Sequence, residues 1–205
     1  LIDHHLNPDK NFDYGISKPS KSSTCEMIFD LINEMGDNDK INMDIAQCLY
    51  SGVMTDTGSF KFSCTTASVH LMVANLMEKG LNPTPIHQAI LDNYQENRLR
   101  FLGYVLSEKM LLFPEYHSAI IAVSKEDLNK FKINSGDTEG IVNYPLSIKN
   151  ILFSTFISER DNEIRMSFRS KGEFNVNIFA RNYFNGGGHH NASGGRSDVS
   201  LAETI

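Results

Sequence analysis

The stretch Leu1-Ile2-Asp3-His4-His5 opens the chain, with two apolar residues followed by an acid and two histidines. This pattern predicts the end of a buried strand that continues into a polar loop. In open α/β sheets, ligand-binding groups gather at the carboxyl ends of the strands. The stretch therefore predicts an α/β fold whose functional groups begin at Asp3.

Helical signals dominate the sequence that follows this strand. Ser23 and Glu26 have the spacing of a capping box, and an apolar periodicity continues from Met27 to Met35. Further helices are predicted over Met43 to about Ser51, Thr65 to Gly80, Pro83 to Tyr94, and Glu96 to about Leu112. The last of these is expected to be a connecting helix. Residues 1–113 are accordingly predicted to be one domain, built as part of a doubly wound parallel sheet.

Strand patterns become frequent after Pro114. Strands are predicted over His117–Val123, Ile148–Ser158 and Glu163–Arg169, with a turn at Arg160-Asp161-Asn162 between the last two. A short helix is expected after Ser124, and another over Asn177–Phe184. Residues 114–205 are therefore predicted to be a second domain, smaller than the first and of mixed α/β structure.

The composition limits the classes of partner. The formal net charge is −6, whereas proteins that bind long nucleic acids are usually basic. Any nucleic-acid substrate is therefore expected to be short, with metal ions supplying positive charge at the site. The apolar runs are too short for a membrane span, and no secretory signal is present. Three widely spaced cysteines indicate reduced thiols, so a cytoplasmic protein is predicted.

Two segments of the first domain offer metal ligands. Adjacent histidines on extended backbone point in different directions, so His4 could bind a metal while His5 faces a substrate. The segment Thr55-Asp56-Thr57-Gly58 places a carboxylate in a turn of small residues after an apolar stretch. Imidazole and carboxylate together suit a hard cation such as Mn²⁺. Taken singly, the first segment could equally be a solvated loop and the second a turn without chemistry.

Two segments of the second domain offer groups that bind phosphate. Gly186-Gly187-Gly188-His189 is predicted to be a loop before a helix start, whose bare N–H groups cradle an anion. Arg165, Ser167 and Arg169 share one face of a predicted strand, and guanidinium groups suit phosphate. The alternatives are a flexible linker and an ordinary exposed strand face.

The order of these segments resembles that of the DHH phosphoesterase family. The resemblance rests on Asp3-His4-His5, Thr55-Asp56-Thr57-Gly58, Arg169-Ser170-Lys171-Gly172 and Gly186-Gly187-Gly188-His189, and it covers essentially the whole chain. The second domain resembles the DHH-associated substrate-binding domain. Two further segments resemble the family's bacterial nanoRNase branch, which also dephosphorylates 3′-phosphoadenosine 5′-phosphate: Ser22-Ser23-Thr24-Cys25-Glu26 and Glu139-Gly140-Ile141-Val142-Asn143-Tyr144-Pro145.

The resemblance implies a phosphoric ester hydrolase that acts on short RNA or on nucleotide phosphates with two Mn²⁺ ions. It implies that His4 and Asp56 are metal ligands and that Asp3 and His5 are catalytic. It assigns substrate binding to Arg169, Ser170, Gly187, Gly188, His189 and Asn191. The family's earlier metal motifs lie upstream of the Asp3-His4-His5 triplet and have no counterpart here. We therefore expect residues 1–205 alone to lack a complete dinuclear centre and to be inactive.

Alternative functions remain open at this stage. The first is hydrolysis of another phosphate compound, such as a linear dinucleotide, pyrophosphate or polyphosphate; the glycine-rich segment argues against a pyrophosphatase of this superfamily. The second is a non-catalytic nucleic-acid-binding module, which the acidic composition disfavours. The sequence also leaves open whether the protein forms a homodimer.

Overall fold

The computed structural model describes residues 1–6, 8, 11–134, 136–161 and 163–205. The chain divides into two compact units, Leu1–Asn93 and Tyr94–Ile205. The domain boundary proposed between residues 113 and 114 stays a prediction. Across the described ranges, no helix combines the length and the apolar character needed to cross a membrane.

The described residues of the first unit form two short parallel strands, four α-helices and a 3-10 helix, Asn38–Lys40. The strands are β1 (Ile2–Asp3) and β2 (Ile16–Ser17), paired in parallel with Ile2 opposite Ile16. The helices are α1 (Thr24–Glu34), α2 (Met43–Asp56), α3 (Ala67–Glu78) and α4 (Pro83–Leu91). The core lies among the helices and is formed by Phe29, Ile41, Ala46, Leu49, Tyr50, Val53, Met54, Val69, Met72, Leu76 and Leu81.

Two predicted helix ends in this unit were wrong. α2 continues to Asp56 instead of ending near Ser51, because buried residues recur at helical spacing as far as Val53. The Ser51 hydroxyl donates to a carbonyl of the preceding turn and so fits inside the helix. α4 ends at Leu91 and does not include Tyr94, whose ring packs against the Arg98 guanidinium at 3.5 Å. Short polar side chains can satisfy backbone groups inside a helix, so a polar stretch does not by itself end one.

The apolar face predicted for α1 is only partly buried. Met27 is in the interior, whereas Leu31 is 41% exposed and Met35 is 65% exposed. Met35 is the C-cap residue, beyond the last helical residue. Helical period therefore identified the helix correctly but overestimated the width of its buried face.

The second unit begins with helical turns and continues as a mixed sheet. Its helices are α5 (Glu96–Tyr104), α6 (Lys125–Lys130), α7 (Val176–Tyr183) and α8 (Leu201–Thr204). Its strands are β3 (Met110–Phe113), β4 (Ser118–Val123), β5 (Phe153–Glu159), β6 (Ile164–Ser170), β7 (Gly187–His189) and β8 (Ala192–Ser197). A π-helical turn spans Val105–Lys109, and a 3-10 helix spans Ile141–Ser147.

The connecting helix predicted to reach Leu112 is shorter than expected. The helix ends at Tyr104, the π-helical turn follows, and Leu111 and Leu112 lie in β3. Pairing of β3 with β4, in which Leu111 lies opposite Ile120, outweighs the amphipathic helical pattern. The predicted antiparallel pair β5 and β6 is confirmed, although Asn162 of its connecting turn lies outside the described residues.

The six strands lie in the order β3-β4-β5-β6-β8-β7, with β4 and β5 parallel and the other neighbours antiparallel. One side of the sheet is covered by α7, with Phe168, Val176 and Ala180 in the interface. We call this side the core face. The expected α/β architecture, with parallel strands in the first unit and a mixed sheet in the second, is confirmed.

The opposite side of the sheet is covered only in part. Ile121 of β4 and Phe156 of β5 pack in a second cluster with Phe101 of α5 and Ile141 of the 3-10 helix. Beyond β5, the same side carries polar or small residues, which pair across β6 and β8 as Arg165–Arg196, Ser167–Gly194 and Arg169–Ala192. We call this part of β6 and β8 the open face. It is the surface on which a ligand has access to the sheet.

Asp127 connects α6 to the preceding helical turns. Its carboxylate accepts hydrogen bonds from Tyr104 at 2.5 Å and lies 2.8 Å from the Lys109 ammonium, and it completes a capping box with Ser124. Burial raises the pKa of Asp127, but these bonds outweigh that effect and lower the pKa to about 2. A carboxyl whose pKa is lowered by folding stabilises the fold at pH values above its pKa in the unfolded chain. That contribution is lost as the pH falls through its pKa in the folded protein.

We therefore predict that the ionised Asp127 carboxylate contributes about 2 kcal/mol to the free energy of unfolding at neutral pH. This contribution is lost as the pH falls from about 4 to about 2. Denaturant unfolding of the wild type and Asp127→Asn at several pH values measures the contribution. Asp161→Asn is the control, because Asp161 is 77% exposed in its pair with Lys125. An equal acid-induced loss of stability in Asp127→Asn and the wild type would contradict the prediction.

Candidate functional site

The first group of candidate residues lies where β1 ends. His4 follows β1 directly and is buried, with 6% of its surface exposed. Its Nε2 lies 3.5 Å from Oδ2 of Asp56, the last residue of α2. Its Nδ1 lies 3.4 Å from the carbonyl oxygen of Lys21, just before α1. The fold of the first unit therefore brings an imidazole and a carboxylate together from distant parts of the sequence.

Asp3 and His5 form a pair beside His4. Oδ1 of Asp3 accepts a hydrogen bond from the His5 backbone at 3.1 Å and lies 2.7 Å from Nδ1 of the His5 ring. The side-chain bond, followed by the backbone bond, lowers the pKa of Asp3. The His5 side chain is 57% exposed. Asp3 thus acts as the carboxylate that orients the His5 ring.

Glu26 supports this region, a role that the sequence analysis did not give it when it placed Glu26 in a helix cap and in a segment resembling the nanoRNase branch. Ser23 caps α1 as predicted, by accepting from the Glu26 backbone. The Glu26 carboxylate, however, accepts from Ser22 N–H and Oγ at 2.8 Å, from Ser68 Oγ at 2.8 Å, and from Lys21 at 3.0 Å. These contacts fix the segment whose Lys21 carbonyl lies beside His4.

The pKa of Glu26 reflects two opposing influences. Burial raises it, and the hydrogen bonds from Ser22, Lys21 and Ser68 outweigh burial and lower it. Glu26 therefore stays ionised among its partners although only 2% of its surface is exposed. The sequence signal was the cluster Lys21-Ser22-Ser23 before the acid, which supplies more donors than one helix cap requires.

The turn after Asp56 is internally bonded. Thr57 is fully buried, and its hydroxyl donates to the Val53 carbonyl at 2.7 Å and accepts from Phe60 N–H at 3.0 Å. The Thr57 hydroxyl is therefore occupied by bonds within the turn. Ser59 and Phe60 both have positive φ, a conformation that non-glycine residues adopt at a cost. The turn holds the end of α2, and Asp56 keeps a side chain 43% exposed.

The second group of candidate residues lies in the second unit. Arg169 is on the open face of β6, opposite Ala192, and Ala192 is in turn opposite His189 of β7. Arg169 and His189 are thus about two strand spacings apart, roughly 10 Å. The Arg169 guanidinium donates to the Phe168 carbonyl at 2.9 Å, and burial lowers its pKa. A partly buried guanidinium with no carboxylate hydrogen-bonded to it in the described structure is well suited to receive an anionic ligand.

Ser170 and Asn191 bond to each other instead of lying on the open face. Ser170 is buried on the core face, and its hydroxyl donates to the Phe174 carbonyl at 2.6 Å. The Asn191 amide donates to Ser170 Oγ at 2.8 Å and to the Gly172 carbonyl at 3.0 Å. These bonds join the turn after β6 to the turn between β7 and β8. Their geometry supports a positioning role for both side chains.

The glycine-rich segment is a β-hairpin and does not precede a helix, so the predicted loop before a helix start was wrong. Gly187 and Gly188 lie in β7, whose backbone pairs with β8. Gly188 N–H donates to Asn177 Oδ1 at 3.0 Å, and a Cβ at Gly187 would lie 3.3 Å from that oxygen. Gly187 therefore lets β7 lie close to α7, whereas at Gly188 a Cβ would lie 2.6 Å from the Ala192 carbonyl oxygen of β8, an approach that requires the absence of a side chain. Asn177 was not recognised as the partner of this segment.

Comparisons with known proteins show what the chain is similar to. Residues 115–204 match the family model described as DHHA1 domain. The "Bifunctional oligoribonuclease and PAP phosphatase NrnA" of Bacillus subtilis (strain 168) is 32% identical over 194 residues, covering 94% of this chain and 60% of that protein. The protein of the same name from Thermus thermophilus is 29% identical, covering 94% of this chain and 56% of that protein.

One solved structure is similar along almost the whole chain. The crystal structure of an exopolyphosphatase-related protein from Bacteroides fragilis has a TM-score of 0.92 and 43% sequence identity. The alignment covers 98% of this chain and 60% of that one. The chain thus spans about 60% of the length of the relatives that it matches.

The fold is of mixed α/β type, and residues 115–204 form a DHHA1 domain. The chain as a whole is similar, over 94% to 98% of its length, to the phosphoesterase relatives named above. The resemblance inferred from the sequence is therefore confirmed. The roles of individual site residues remain proposals.

Proposed function

We propose that the full-length protein is a metal-dependent phosphoesterase that hydrolyses short oligoribonucleotides, 3′-phosphoadenosine 5′-phosphate, or both. The observation that carries the proposal is the approach of His4 Nε2 to Asp56 Oδ2 at 3.5 Å beside the Asp3–His5 pair. Relatives named as oligoribonucleases and PAP phosphatases support the choice of substrate. We further propose that it acts in the cytoplasm.

The donor atoms of the first unit fit a divalent cation. Similarity to DHH phosphoesterases supports dependence on such an ion, and imidazole nitrogen with carboxylate oxygen suits Mn²⁺. His4 Nε2 and Asp56 Oδ2 are 3.5 Å apart, close enough for both atoms to be ligands of one ion. We propose that His4 and Asp56 hold one of two Mn²⁺ ions. A two-metal centre would activate water and stabilise the negative charge on the attacking and leaving oxygens.

The remaining residues at this end of β1 orient the reacting groups. Asp3 holds Nδ1 of His5, which fixes the ring in one orientation. We propose that His5 faces the scissile phosphate and that Asp3 keeps it there, so that both act in catalysis. Glu26 maintains the Lys21 segment that contacts His4 and acts as a positioning residue.

The DHHA1 domain binds the nucleotide in this proposal. Arg169 and His189 would contact its terminal phosphate or its base, because the hairpin register brings them near each other. Ser170 and Asn191 would hold the two turns that carry those residues. Gly187 and Gly188 would allow β7 to lie against α7 and keep the hairpin in place.

A manganese-dependent assay of the full-length protein tests the proposed function. A 5′-labelled RNA dinucleotide and 3′-phosphoadenosine 5′-phosphate serve as substrates. We expect release of mononucleotides or of inorganic phosphate, its loss on treatment with a chelator, and its recovery when Mn²⁺ is restored. The opposite outcome is hydrolysis of polyphosphate, or of a linear dinucleotide derived from a cyclic messenger, while neither of the two substrates is hydrolysed. It would contradict the substrate assignment and favour a hydrolase of another phosphate compound.

A further inference from the structure

The open face carries a pair of cations besides Arg169. Arg165 of β6 lies directly opposite Arg196 of β8, and their side chains are 66% and 62% exposed. Like charges placed opposite each other on one face of a sheet destabilise it. Glu163 is the carboxylate that both contact, with Oε1 2.6 Å from Arg165 Nε and Oε2 3.9 Å from Arg196 Nη1. Two guanidinium groups share one carboxylate, so this cluster keeps a net positive charge.

A groove runs beside this pair. Its lining includes Arg165, Ser167, Gly194 and Arg196 from the open face, together with Asn185 and Gly186 beyond the sheet. Ser167 lies opposite Gly194, in the row between the Arg165–Arg196 row and the Arg169–Ala192 row. A hydroxymethyl group and a hydrogen are the only side chains of this middle row on β6 and β8. The strip between Arg169 and the pair is therefore unobstructed by large side chains.

The spacing along β6 sets the distance between the two positive positions. Arg165 and Arg169 are four residues apart, which is about 13 Å along a strand. Neighbouring phosphates on one nucleic-acid strand are closer together than this. An oligonucleotide with one phosphate at Arg169 would therefore present a phosphate to Arg165 and Arg196 only if it extended beyond the adjacent nucleotide.

We propose that Arg165 and Arg196 form a second anion subsite, which binds an internal phosphodiester group of an oligoribonucleotide whose terminal phosphate lies at Arg169. This inference rests on the proposed function and adds a determinant of substrate length to it. Five-nucleotide RNA reaches the pair, whereas a dinucleotide and adenosine bisphosphate do not. Glu163 competes with the phosphate for both guanidinium groups and limits the affinity.

Binding measurements with RNA of two lengths test the subsite. Fluorescence anisotropy of 3′-labelled five-nucleotide and two-nucleotide RNA, each with a free 5′-phosphate, is recorded on the full-length protein at low salt without added metal. For Arg165→Gln/Arg196→Gln, we expect the Kd of five-nucleotide RNA to rise about tenfold and that of the dinucleotide to change less than twofold. Glu163→Gln is expected to have the opposite effect on binding, because it removes the competing carboxylate. It should lower the Kd of the longer RNA about threefold.

A matched control removes two other exposed cations that also pair with carboxylates. Arg100→Gln/Lys125→Gln changes the net charge equally, and these residues pair with Glu96 and Asp161. The control should leave both Kd values within twofold of the wild type. Thermal unfolding of each variant verifies that the fold is retained.

Three results would overturn the subsite: equal weakening of both RNA lengths, no weakening in the double arginine variant, or no preference of the wild type for the longer RNA. Failure of the proposed function has a different signature. In that case the wild type would hydrolyse neither RNA, while the length-dependent binding and its loss in the double variant would persist.

Discussion

Replacement of Asp56 by asparagine is expected to lower kcat of the full-length protein on an RNA dinucleotide by about 10³-fold, equivalent to about 4 kcal/mol of transition-state stabilisation. Asparagine keeps the size of the side chain and one oxygen but removes the negative charge that faces His4. A divalent ion held by an imidazole and a neutral amide is bound much less tightly than one held by a carboxylate. Titration of Mn²⁺ by calorimetry should show weaker binding to the variant.

The control for this variant is Asp44→Asn, in the first turn of the same helix. Asp44 is exposed and takes no part in the His4 contact, so its replacement should cost only about 0.5 kcal/mol of helix stability. Activity and Mn²⁺ affinity of Asp44→Asn should match those of the wild type. Unchanged Mn²⁺ binding in Asp56→Asn would remove Asp56 from the set of metal ligands, whatever happened to its activity.

The sequence was sufficient to predict the elements that are set by local chemistry. Ser124 and Asp127 have capping-box spacing, and both reciprocal bonds are present in the structure. The alternation of Arg165, Ser167 and Arg169 with buried residues correctly predicted which of them share a side of β6. Such features depend on spacing along the chain, because period and cap residues act over a few positions.

The errors occurred where contacts distant in sequence decide the structure. Leu111 is in an amphipathic pattern that suits a helix, yet pairing with Ile120 makes it part of a strand. The glycines at 187 and 188 fit an anion-binding loop, yet Asn177 on α7 takes the Gly188 N–H. Neither partner is indicated by the local sequence. Tertiary pairing overrode a local preference in both cases.

The candidate metal site illustrates both what the sequence can predict and what it misses. The residue types at His4 and Asp56 led to the prediction of a hard-cation site, which stays a prediction, and the approach of the two side chains depends on where α2 ends. The sequence analysis placed Asp56 in a turn, whereas it is the last residue of the helix. Glu26 was missed as a supporting residue because its Ser68 partner is contributed by α3, far along the chain. Residue chemistry can be recognised from a single sequence, whereas a network that supports it requires the fold.

The second large effect is expected at Arg169, where replacement by lysine should raise KM for the dinucleotide about tenfold to 100-fold, with a smaller change in kcat. The guanidinium donates to the Phe168 carbonyl and approaches the Ser193 carbonyl at 3.5 Å, which sets the plane of its fork. Lysine would retain the charge but could not bond a backbone carbonyl and bind a phosphate through two parallel N–H groups at once. Steady-state kinetics of the full-length protein separate the two parameters.

Arg100→Lys provides the comparison, because Arg100 is exposed and pairs only with Glu96 in the described structure. That variant should retain the wild-type KM. A fall in kcat alone for Arg169→Lys would indicate that Arg169 acts on the transition state and does not bind the ground-state substrate. An unchanged KM and kcat would show that charge alone is sufficient at this position. The fork geometry observed on β6 would then have no role in recognition, and the phosphate contact would have to be sought at His189.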